Sequence, residues 1–128
     1  MKRFAMLLVI LLLAAGIILI GLMVRQVNKL EEQDFGLVDM AGVPDGIYQG
    51  SASAVLVKAQ VEISVKDGRI LQVKLLEHRH GPGYGAQELC DRMVEANSPD
   101  VDSISGATAS SIVVKTAVLE ALKNAVAQ

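Results

Sequence analysis

Twenty-one consecutive residues near the N-terminus, Phe4 to Val24, carry no charge and are dense in Leu and Ile. As a helix rising about 1.5 Å per residue, such a run spans roughly 30 Å, the thickness of a bilayer's hydrocarbon core. A water-soluble domain of this size cannot cover so long an apolar helix on every side. The competing reading is a cleaved signal peptide, whose apolar core is shorter and ends at a small-residue site. Gly21-Leu22-Met23-Val24 makes a poor site of that kind, and no cysteine stands where a lipoprotein would need one. An uncleaved membrane anchor over residues 1–24, in the bilayer through Phe4 to Val24, is therefore expected. Lys2 and Arg3 precede the run, and Arg25 and Lys29 follow it. The flanks are nearly balanced, and the amino terminus tips them towards N-terminus inside. The rest of the chain is expected on the outer, extracytoplasmic face.

The remainder divides in two. Residues 25–44 are expected to act as a tether, with Arg25 to Gln33 able to prolong the membrane helix. The stretch ends in the turn signals Pro44-Asp45-Gly46. Residues 45–128 are expected to form one domain. Roughly 90 residues beyond residue 40 suffice for a modest hydrophobic core. The single cysteine, Cys90, excludes an internal disulfide and any multi-cysteine metal centre. Net charge is −2 with no basic stripe, which argues against nucleic-acid binding. There is no internal repeat and no low-complexity run.

The periodicities predict the elements of this domain. A short strand is expected over Gly46 to Ser53. Val61, Ile63 and Val65 alternate with polar residues, the period of a half-buried strand. Asp67-Gly68 is a hairpin turn, because both positions tolerate positive φ. Ile70 to Leu76 returns. A two-residue turn pairs Ile70 with Val65 but sends Val73 and Leu75 to the wrong face. A β-bulge near Leu71-Gln72 restores them. A loop is expected from His78 to Gly85, and an amphipathic helix from 86 to 96, closed by Asn97-Ser98-Pro99. A last helix is expected from Thr108 to Ala127, with Ile112, Thr116, Leu119, Leu122 and Val126 along one face. The fold class is α+β: a small antiparallel sheet packed against two helices, preceded by one N-terminal transmembrane helix.

The chemistry concentrates in Asp102-Ser103-Ile104-Ser105-Gly106-Ala107-Thr108-Ala109-Ser110-Ser111, at the start of the last helix. Small residues allow close approach to the backbone, and a helix N-terminus favours a phosphate. Ser and Thr are equally ordinary helix caps, and Ser-Gly an ordinary turn. On the residues alone both readings stand. His78 and His80, with Glu77 adjacent, are the kind of side chains that ligate zinc. Alternate residues of an extended segment face opposite ways, however, so exposed loop histidines are expected and no metal site. Cys90 lies on the apolar face of its helix and reads as a core residue.

In order, Asp45-Gly46-Ile47-Tyr48-Gln49-Gly50, Val61 to Ile70, Gly81-Pro82-Gly83-Tyr84-Gly85, and Asp102 with Ser105-Gly106-Ala107-Thr108 resemble the FMN-binding domain family. Its members include the C subunit of the sodium-pumping NADH:quinone reductase and the G subunit of the Rnf complex. The resemblance spans residues 45–126. It implies FMN covalently joined through its phosphate to the hydroxyl of Thr108, with Ser110 and Ser111 as the nearby alternatives. It implies that Asp102, Ser105, Gly106 and Ala107 form the segment recognised by a separate FAD-dependent flavin transferase. It brings Gly83, Tyr84 and Gly85 close to the flavin, although Tyr84 departs from the aliphatic residue often found there. The function expected is a membrane-anchored electron-transfer flavoprotein, relaying electrons between membrane or extracytoplasmic redox proteins. With no acid–base pair evident, an electron carrier or redox subunit is expected rather than a stand-alone enzyme. Two alternatives remain at this level: a non-redox interaction module that keeps the fold without flavin, and a subunit of a flavin-dependent reductase.

Overall fold

The hairpin turn organises the sheet. In a computed structural model, which describes residues 1–54, 57–79 and 85–127, Asp67 and Gly68 have φ of 53° and 71°. Two successive left-handed residues match the twist of the strands they join. These strands are β2 (Val57–Lys66) and β3 (Arg69–Arg79), and β1 (Gly46–Ala54) pairs with the other edge of β2. All pairing is antiparallel, in the order β1-β2-β3. Val65 faces Ile70 and Ser64 faces Gln72, so Leu71 is the extra residue of the expected bulge. The bulge leaves Val73 buried and Leu71 exposed.

A second bulge was not foreseen. Val61 faces Leu75 and Gln60 faces Glu77, leaving Leu76 unpaired and exposed. The loop expected from His78 begins later, because His78 and Arg79 prolong β3. They find partners in Ala59 and Lys58, since β2 starts four residues before its clear alternation. One sheet face buries Val57, Ala59, Val61, Ile63 and Val65, while Lys58 and Lys66 of the other face are exposed.

Two helices cover the buried face. α2 (Ala86–Ala96) lies against β3, and α3 (Thr108–Val126) lies against β1 and β2. α2 ends on Asn97 in the left-handed conformation. The Asn97 side chain accepts from Ile70 N–H (2.7 Å) and donates to the Gly68 carbonyl (3.0 Å), tying the helix end to the hairpin. The expectation of a single apolar face on α3 needs correction. Every residue from Ser110 to Leu119 is buried, together with Ala121, Leu122 and Ala125, while Val126 is exposed. The helix is enclosed by the sheet, by α2, and by residues preceding β1. Its closest approach is at Gly50 of β1. A Cβ there would fall 2.1 Å from the Ala117 carbonyl oxygen and 2.4 Å from Ala121 N.

α1 (Lys2–Glu31) contains a window of mean hydropathy 3.2 with none of it buried, long and apolar enough to cross a membrane. Its last turns differ. Val27 is buried, and Met23 and Leu30 pack against the same core. Beyond α1, Phe35, Met40 and Val43 are also core residues. The stretch read as a tether thus supplies four buried side chains.

Candidate functional site

The start of α3 is shaped by a turn. Ala107 N–H donates to the Ile104 carbonyl (3.0 Å), and Gly106 sits inside that turn at φ +79°. A Cβ on Gly106 would meet nothing within 4 Å, so glycine is there for its backbone conformation and not for space. The Ser111 hydroxyl accepts from Ile104 N–H (3.0 Å) and holds the segment against the helix. Ile104 in turn fills the place of a side chain at Gly85. A Cβ on Gly85 would lie 2.7 Å from Ile104 Cγ2. Gly85 is the N-cap of α2, and Ala107 is the N-cap of α3. The starts of both helices therefore meet, with Gly85, Ala86, Ala107 and Ser110 around a seam of about 10 Å³. That is room for about one water molecule. Any larger group at this place lies outside the seam.

Neither helix start is capped by a side chain. The N-cap of α3 is an alanine, so no Ser or Thr side chain fills the capping role that was one of the two readings of this segment. The first turn of a helix presents backbone N–H groups and the positive end of its dipole, a setting that favours an anion. Thr108 is the first residue of α3 and is exposed, as are Asp102, Ser105 and Gly106. Ser110 and Ser111 are 5% and 3% exposed. Access thus sorts the three hydroxyls of the first turn of α3: Thr108 is open to a large reactant, Ser110 and Ser111 are not, and the exposed Ser105 lies before the helix. The Asp102 carbonyl accepts a long bond from Arg92 Nη1 (3.4 Å), and Arg92 pairs with Glu88 at 2.6 Å.

A phosphate ester fits this arrangement, which offers an exposed hydroxyl beside an uncapped helix start and a flanking glycine with no neighbour within reach of a side chain. A family model for the FMN-binding domain matches residues 57–123, more than half of the chain. The chain belongs to the FMN-binding domain family. No curated protein matches it. The matched region of this FMN-binding domain runs from β2 into α3 and includes the whole Asp102–Thr108 segment. With α1 long and apolar enough to cross a bilayer, the chain has the composition of a membrane-anchored FMN-binding protein.

The structure brings Gly85 together with the Asp102–Thr108 segment. Gly83 and Tyr84, the other loop residues expected near the flavin, lie outside the described residues, as does His80. Cys90 is buried, and burial, with Asp91 adding, pushes its thiol up to about 11. Sequence reasoning missed Lys115. It is 7% exposed, and its ammonium sits 4.4 Å from the centre of the Phe35 ring. Burial lowers its pKa, opposed by the carboxylates of Asp100, Glu31 and Asp102. The signal available was a lone lysine inside the apolar run Ile112-Val113-Val114-Lys115-Thr116.

Proposed function

We propose that this protein is a membrane-anchored electron carrier whose FMN is joined through its phosphate to Oγ1 of Thr108. The observation that carries the reading is the contrast in access: Thr108 is exposed at an uncapped helix start, while Ser110 and Ser111 are buried. Attachment by an FAD-dependent transferase forms the Oγ1–phosphorus bond and breaks the pyrophosphate, releasing AMP and the hydroxyl proton. When bound, FMN exchanges one or two electrons, and the protein supplies position and electrostatics.

The chain's own residues do the rest. The turn at Ile104–Ala107 holds Thr108 outward. The N–H groups of the first α3 turn would favour a phosphate carried on Thr108. Ser111 keeps the segment from moving away. The charge balance of the flanks, with the amino terminus included, supports an extracytoplasmic domain, where a covalent bond prevents loss of the cofactor. Redox partners are then membrane or extracytoplasmic proteins.

The test is the intact mass of protein produced with a flavin transferase. Thr108→Ala is expected to lose the FMN increment, while Ser110→Ala and Ser111→Ala keep it. Denaturation-resistant flavin on Thr108→Ala overturns the assignment.

A further inference from the structure

The end of α1 and the residues just after it are fastened to α3 at several points. Val27 sits in the shared core. Gln33 Nε2 donates to the Leu30 carbonyl (2.8 Å) and to Thr116 Oγ1 (3.3 Å). Phe35 is 6% exposed and lies under the Lys115 ammonium at 4.4 Å. Among the described residues no carboxylate oxygen comes within 4 Å of that ammonium. The ring face is a direct contact of this buried cation, and the carboxylates of Asp100, Glu31 and Asp102 act on it from beyond 4 Å. The turn that presents Phe35 also reaches the segment before α3. Gly36 N–H donates to Asp34 Oδ1 (3.0 Å), and a Cβ on Gly36 would lie 3.6 Å from Asp100 Oδ2. An apolar residue at 115 would fill the core without the desolvation cost. A lysine adds an attraction to the ring face that an apolar side chain lacks.

We propose that Phe35 and Lys115 clamp helix α3 to the outer end of the membrane helix, so that the domain rides at a fixed orientation to the bilayer and not on a flexible tether. Lys115 is here a positioning residue. It lies seven residues along α3 from Thr108, about 10 Å by helical rise. The joint thus sets the height and facing of the residue read above as the flavin carrier. The consequence for electron transfer rests on that reading: a carrier held this way serves a partner fixed in the same membrane at short range. The clamp itself does not depend on flavin.

The test uses the full chain in lipid nanodiscs, with Cys90→Ala as background. Spin labels are placed at Ile18 in the membrane helix and Glu95 on α2, both exposed, and their distance distribution is measured by pulsed electron resonance. One narrow distance is expected. Phe35→Leu combined with Lys115→Met keeps the site apolar and the domain folded, as checked by a cooperative thermal unfolding transition. In that variant a broad component is expected to become the majority population. A broad distribution in the unsubstituted background overturns the proposal, and so does an unchanged narrow one in the double variant. Because no flavin is needed, this result is independent of the Thr108 mass test.

Discussion

Gly50→Ala isolates the contact on which the placement of α3 depends. Gly50 has no positive φ. At such a position replacing glycine by alanine ordinarily stabilises a protein by about 0.4–1 kcal/mol, through the unfolded chain. Here the new Cβ would lie 2.1 Å from the Ala117 carbonyl oxygen and 2.4 Å from Ala121 N. Comfortable separations are near 3.5 Å, so relief requires roughly 1 Å of movement or more. Both obstacles are backbone, and no side chain can turn aside. The cost is expected at or above the upper end of ordinary overpacking, about 3 kcal/mol or more. For a domain of this size that lowers the melting temperature by roughly 12 °C or more. Thermal unfolding of the full chain in nanodiscs, followed by tyrosine fluorescence, measures it. Gly42→Ala is the control, since a Cβ there meets nothing within 4 Å, and it is expected to stay within about 0.5 kcal/mol of the parent. A cost below about 1 kcal/mol for Gly50→Ala would show that β1 and α3 are not in the contact described.

Three further outcomes are expected. With its thiol raised from 9.0 to about 11, Cys90 contributes stability that is full below pH 9 and is lost as pH rises through 11. The loss is on the order of 2–3 kcal/mol, and Cys90→Ala should lack this part of the alkaline slope in urea titrations at pH 8 to 11. A fragment of residues 39–128 removes Val27 and Phe35 from the core and should be less stable than residues 25–128 by about 3–5 kcal/mol, as for deletion of a buried phenylalanine; equal urea midpoints would show that the residues before 39 do not support the domain. Cysteine at Glu95 in a Cys90→Ala background should react with a membrane-impermeant thiol reagent on intact cells, once any outer membrane is opened, and labelling only after lysis would place the domain in the cytoplasm.

Local chemistry made much of this protein legible in its sequence. The charge-free run from Phe4 to Val24 dictates a helix that spans the required length. Asp67-Gly68 dictates the hairpin, and the clash between a two-residue turn and the apolar pattern of β3 dictates the bulge at Leu71. The limits of α2 follow from spacing and from Asn97. The segment Asp102–Thr108 is visible as a string of small and hydroxylated residues. Each of these rests on interactions between residues close in the chain. What required the tertiary structure rests on residues far apart. The bulge at Leu76 and the extension of β3 depend on where β2 begins. The burial of α3 on all sides, which leaves Val126 out, depends on what surrounds it. The glycine at position 50 is demanded by a helix nearly seventy residues away. Access separates Thr108 from Ser110 and Ser111, although all three are hydroxyl side chains within four residues. Nothing in the periodicity of either segment announces that Phe35 will lie beneath Lys115. Periodicity reports which face of an element is apolar, whereas packing decides what that face meets and which groups remain open to a reactant.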